Sequence, residues 1–176
     1  QLTVLVDHRT RILGPDHPDT LTTRHNLASW LGQAGRVQEA IDQCTALVAD
    51  RTRVQGADHP DTLTTRHNLA HWLGQAGCVM EEFSQYTVLL ADRTRVSGPD
   101  HPDTLGTRSN LAFWLAEIGA GQEAIDEFTA LLADHTRVLG PDHPDTLRTR
   151  VNLACLLAET GLAQEAIDQL TVLLAD

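Results

Sequence analysis

The sequence predicts an all-α fold built from one helix-turn-helix unit set down repeatedly. Three observations predict it. The stretch GPDHPDTL at 14–21 returns from Gly56 (with Ala57 in place of proline), Gly98 and Gly140, so each step is 42 residues. Between these stretches the apolar residues recur at spacings of three and four, the period of a helix face, and no segment alternates as a strand would. Glycine and proline fall where one helix would stop and the next begin.

The units follow in order. Residues 1–13 match 43–55 and read as the second half of a unit. Full copies occupy 14–55, 56–97 and 98–139, and a shortened one occupies 140–176, so both ends look cut from a longer array. In the first copy, residues 18–34 carry Leu21, Leu27, Ala28, Leu31 and Ala34 at helical spacing and form helix A. Gly35 permits a tight reversal. Helix B then runs to Gly56 with Val37, Ala40, Ile41, Cys44, Leu47, Val48 and Val54 on its apolar side. Gly14 closes the preceding helix, Pro18 suits the first helical position, and Asp16 and Asp19 place negative charge beside the new N-terminus. One such pair buries too little to stand alone, so stability is expected between neighbouring copies, with the whole of 1–176 a single array.

Composition narrows the function. The formal net charge of −11 sets 24 acids against 13 arginines with no lysine, which argues against nucleic acid or an anionic membrane as partner. Cys44, Cys78 and Cys155 are odd in number and form no CxxC pair, so neither a disulfide framework nor a zinc knuckle is expected. The apolar runs are short and broken by charges, with no membrane span or signal peptide, which favours a cytoplasmic location.

The run NLASWLGQAGRVQEAI at 26–41, echoed as NLAHWLGQAG, NLAFWLAEIG and NLACLLAETG, resembles the tetratricopeptide repeat. The unit is eight residues longer than the usual 34 of that family, about two helical turns, and with its LGPDHPDTL junction it is most similar to the repeats of kinesin-light-chain-type and bacterial arrays. The resemblance implies a right-handed superhelix whose concave groove, lined by helix A, holds a segment of a partner protein. Departures from the family pattern are plain. Leucine (Leu31 and its equivalents) stands where an aromatic ring is common, and the closing proline is absent. In the second copy Glu82 replaces the small Ala40, with Phe83 and Ser84 beside it, and a carboxylate there is expected to weaken the packing locally.

The copies also differ among themselves. In helix A the changes gather at Thr22, Thr64, Gly106 and Arg148, at His25, His67, Ser109 and Val151, at Ser29, His71, Phe113 and Cys155, and at Gln33, Gln75, Glu117 and Glu159. At about 100° per residue these positions share one stripe roughly 80° wide, whereas the constant Thr20, Leu21, Thr23, Arg24, Leu27, Ala28 and Leu31 face the other way. The variable stripe is the side that the resemblance assigns to the groove, and Phe113 is a ring with reason to be covered. In helix B the series Cys44, Tyr86, Phe128 and Leu170 reads as one core position filled by different shapes.

No pattern points to catalysis or to a cofactor. His67 and His71 stand four apart on one helical face, a weak metal candidate without an acidic third ligand. His17, His59, His101 and His143 read as junction residues. Arg24, Arg66, Arg108 and Arg150 read as partners for carboxylates, and Asn26, Asn68, Asn110 and Asn152 as bonds to backbone or a neighbouring copy. A non-enzymatic scaffold for a peptide or protein segment is therefore expected. The alternative is end-to-end self-assembly through the matching segments 1–8 and 169–176.

Overall fold

The glycine–proline punctuation becomes two kinds of turn, repeated along the chain. The structure, a computed structural model, describes residues 2–173. Among these there are nine α-helices and no strand. The helices are α1 (Leu2–Leu13), α2 (Pro18–Gln33), α3 (Val37–Gln55), α4 (Pro60–Gln75) and α5 (Val79–Ser97), then α6 (Pro102–Glu117), α7 (Gly121–Leu139), α8 (Pro144–Glu159) and α9 (Ala163–Leu173). They fall into two compact units, Gln1–Asp92 and Arg93–Asp176, with the boundary inside α5. In the first unit α2 packs on α1 and α3, and α4 packs on α3; in the second α7 lies against α6 and α8, and α9 against α8.

The repeated eight-residue stretch ends one helix and caps the next. Gly56 adopts φ 98° and ψ 158°, an extended backbone of positive φ that side chains with a Cβ avoid. Its N–H donates to the Thr52 carbonyl, and its own carbonyl accepts from the Thr62 hydroxyl at 2.9 Å. His59 is the N-cap: its Nδ1 accepts from the Asp61 N–H at 3.1 Å, with Pro60 at the first helical position. His17, His101 and His143 do the same at 3.2 Å. The junction histidines thus do the work usually given to Ser, Thr, Asp or Asn. The other turn closes helix A on itself. Gly35, at φ 78°, donates to the Gly32 carbonyl, and Arg36 donates to that of Leu31, the paired bonds of a Schellman cap.

Two sets of arginines clasp the helices. Arg24, Arg66 and Arg108 on the A helices each donate to an aspartate 26 residues on, Asp50, Asp92 and Asp134, at 2.7 Å. Arg108 also reaches Glu127 at 2.8 Å. These bonds are the main reason that the Asp50 and Asp134 carboxyls lie below their ordinary range. Arg150 meets Gln169 instead at 3.4 Å, its equivalent aspartate, Asp176, lying outside the described residues. The second set ties helix B to the start of the next helix A. The buried Arg51 donates to the Asp61 carbonyl at 2.6 Å and the Thr65 hydroxyl at 2.7 Å, and Arg93 repeats this with Asp103 and Thr107. In the next copy His135 takes the seat, with Nδ1 2.9 Å from the Thr149 hydroxyl.

Apolar packing fills the space between. Cys44, Tyr86 and Phe128 are all buried, as one core position filled three ways, whereas Leu170 on α9 is 41% exposed. Burial pushes the Cys44 thiol up to about 11, which leaves it inert. Trp72 lies against the bare backbone of Gly32, so close that a Cβ there would stand 2.5–2.6 Å from ring atoms Cζ2 and Cε2. In the second unit the pair is resized, with Leu156 for the tryptophan and Ala116 for the glycine in one cluster. The carboxyl of Glu82 sits over Gly74, which has no Cβ to obstruct it, and burial raises its pKa.

Candidate functional site

The variable stripe of helix A divides into a hydrogen-bonded part and an open part. In the first unit the middle of the stripe is knitted together. The Asn68 amide on α4 lies 3.3 Å from His25 Nε2 and 3.4 Å from the Ser29 hydroxyl on α2, and Ser29 also donates to the His25 carbonyl. His25 is half-buried, and burial first, then the charge of Arg51, lowers its pKa. Its Nδ1 is buried without a hydrogen-bond partner. His67 meets the Tyr86 ring edge-on at 5.3 Å, and His71 meets Trp72 at 4.6 Å. Thr22, Gln33, His71 and Gln75 are exposed, whereas Ser29, Thr64 and His67 are half-buried.

The second unit carries a cleft on the same stripe. It has a volume of about 120 Å³ and lies between α6, α7 and α8. Four of the variable residues line it: Phe113 and Glu117 from α6, Cys155 and Glu159 from α8. Phe128 and Leu156, both buried, give it an apolar floor, and Ala116 and Asn152 complete the lining. The Phe113 ring is 56% exposed despite its size. Glu117 and Glu159 are the last residues of α6 and α8, so each carboxylate stands beside the negative end of a helix dipole.

The remaining stripe residues of this unit lie apart from the cleft lining. Arg148 is exposed and pairs with Asp145 at 2.8 Å, and Val151 is exposed. Gly106 has open space where a Cβ would be. Ser109, expected at the surface with its stripe, is 8% exposed and counts as buried. A serine is small enough to be covered by its neighbours, whereas the larger His25 and His67 are only half-buried.

Asn152 was legible as a recurring helix-A asparagine but not as a cleft residue. On the helical wheel it lies only about 20° past the edge of the stripe, but asparagine is constant at this position in all four copies, so variation between copies does not mark it. Among the described residues no group of three or more His, Cys, Asp or Glu is placed to hold a metal ion. No helix among them is long and apolar enough to cross a membrane.

Comparison with known proteins gives a consistent family. A tetratricopeptide repeat profile matches residues 5–49 and 103–175, and a second profile of the same description matches 62–103. A protein of Podosopora anserina assigned to the kinesin light chains, with nearly identical TPR-like repeats, is similar in two crystal structures. A point variant of it is 28% identical with a TM-score of 0.80, over 99% of this chain and 82% of that one. The other structure is 28% identical with a TM-score of 0.77, over 97% and 81%. BtubC (BKLC) from P. vanneervenii shares the fold at 18% identity, with a TM-score of 0.76 over 96% of this chain and 75% of that one. No curated protein matches the sequence. The chain belongs to the tetratricopeptide repeat family, an all-α helical repeat solenoid of the kind that acts as a scaffold for protein–protein interaction.

Proposed function

We propose that the chain binds a segment of a partner protein along the variable stripe of its A helices, the concave side implied by the family, and that it works by preorganised shape and not by reaction. The cleft of the second unit carries this reading: four residues that differ between copies converge on one apolar-floored hollow. The constant face is fixed by the core and the arginine clasps, so variation is free on the other side. A half-exposed phenylalanine costs solubility unless something covers it. Selecting peptides from a displayed random library on the immobilised chain supplies a ligand. Calorimetric titration then compares wild type with the Phe113→Ala, His71→Ala double variant. Weaker binding with unchanged helicity is the expected result. Unchanged affinity for every selected peptide would remove the stripe as the binding surface.

A second reading is end-to-end association of copies. It rests on apolar side chains left open on the terminal helices: Val4 and Ile12 on α1, Ile167 and Leu170 on α9. The matching segments 1–8 and 169–176 lie partly outside the described residues. Light scattering across a wide concentration range tests it: a mass that rises with concentration supports association, and a constant monomer mass excludes it.

A further inference from the structure

The geometry points to a cationic side chain, an arginine or lysine of a basic partner segment, as the occupant of the cleft formed by Phe113, Glu117, Cys155 and Glu159. This deepens the stripe-binding reading and rests on it. No basic residue is among the lining, and two carboxylates are. Both carboxylates end their helices, and neither α6 nor α8 has a basic residue in its last turn. Acids at helix C-termini are placed against the dipole, where cations are favoured. A cation brought to the cleft meets two carboxylates and two helix ends of the same sign.

The contrast with the first unit gives this arrangement its meaning. The equivalent last residues of α2 and α4 are Gln33 and Gln75, the same shape without the charge. The packing of helix A therefore does not require an acid at this position, and the acid stands in two successive copies whose residues line one cleft. Phe113 adds a second attraction, because the face of an aromatic ring draws a guanidinium or ammonium group. The apolar floor of Phe128 and Leu156 suits the methylene stem of the same side chain. The acidic balance of the whole chain steers such a partner in.

The test uses three blocked pentapeptides, Leu-Ala-X-Ala-Leu, with arginine, neutral citrulline or glutamate at X, titrated into the ¹⁵N-labelled chain and followed by amide shifts. The arginine peptide is expected to move the amides of Phe113, Cys155 and Glu159, and to bind less as salt is raised. Glu117→Gln and Glu159→Gln are each expected to weaken it about threefold and together about tenfold, as for solvent-accessible ion pairs. Equal binding of the arginine and citrulline peptides, unaffected by the double variant, would overturn the cationic assignment and leave the stripe reading standing. If none of the three peptides moves these amides, the assignment also fails. The stripe reading then falls only if peptides from the displayed library bind elsewhere too.

Discussion

Three helical glycines face different neighbours, and alanine at each separates packing from propensity. Gly106 on α6 has nothing within 4 Å of the Cβ site. Gly106→Ala therefore gains the full propensity difference, about 1 kcal/mol in a helix interior. At Gly32 the new methyl runs into the Trp72 indole, which is buried and held by the core. Overpacking of this kind costs about 1–3 kcal/mol, set against a smaller propensity gain in the last turn of α2. The difference between the two variants isolates the ring contact and should be about 1–3 kcal/mol or more, with Gly32→Ala the less stable. Gly74→Ala meets first the carboxyl end of Glu82, a flexible group that can move aside, and should fall between. The assay is urea unfolding by far-UV circular dichroism. For a chain of this size about 2–4 °C in Tm accompanies each kcal/mol. Equal stability of Gly32→Ala and Gly106→Ala would refute the seating of Trp72 on the α2 backbone.

Other outcomes follow from the same structure. His135, in the seat of an arginine, is held neutral: burial first, and then nearby Arg148, His143 and Arg108, lower its pKa, and Asp145 opposes them. Its contribution is present above the ordinary histidine value near 6.5 and is lost as pH falls below it, so stability measured from pH 7 to 5 should drop. His135→Arg should shrink that drop, because Arg93 shows acceptors for a cation in the equivalent seat; an unchanged pH profile would contradict this. Glu82→Ala restores the small residue that Ala40 and Ala124 supply elsewhere, and should stabilise by about 1 kcal/mol in urea unfolding by removing a partly desolvated carboxylate. Arg66→Met removes the 2.7 Å ion pair with Asp92 from a largely covered site and should cost about 1 kcal/mol in the same assay.

Much of the fold was legible because it is written four times. The 42-residue step, the apolar spacing and the proline and glycine positions placed each helix to within a residue or so, α2 ending at Gln33 and not Ala34. The arginine–aspartate clasps were legible as well, since a guanidinium on a packed face needs an acceptor. Local chemistry outside the usual patterns was not. Histidine is an uncommon N-cap, so His17 and its equivalents read as junction residues without a capping role. The Gly32–Trp72 and Ala116–Leu156 exchange depends on contacts across copies, which a single helical wheel does not show. For the candidate site, the stripe identified Phe113, Glu117, Cys155 and Glu159, but their meeting at one cleft comes from packing, and Asn152, beside the stripe, was hidden by being the same in every copy. The stripe also failed at Ser109, because angular position does not say how far a short side chain reaches.

The most direct measurement is a crystal structure of the chain with a peptide selected against it. The peptide is expected along the A-helix stripe, with one of its side chains in the cleft between Phe113 and Cys155 and a positive group beside Glu117 and Glu159. Peptide density on the helix-B surface, or confined to α1 or α9 with that cleft empty, would contradict this.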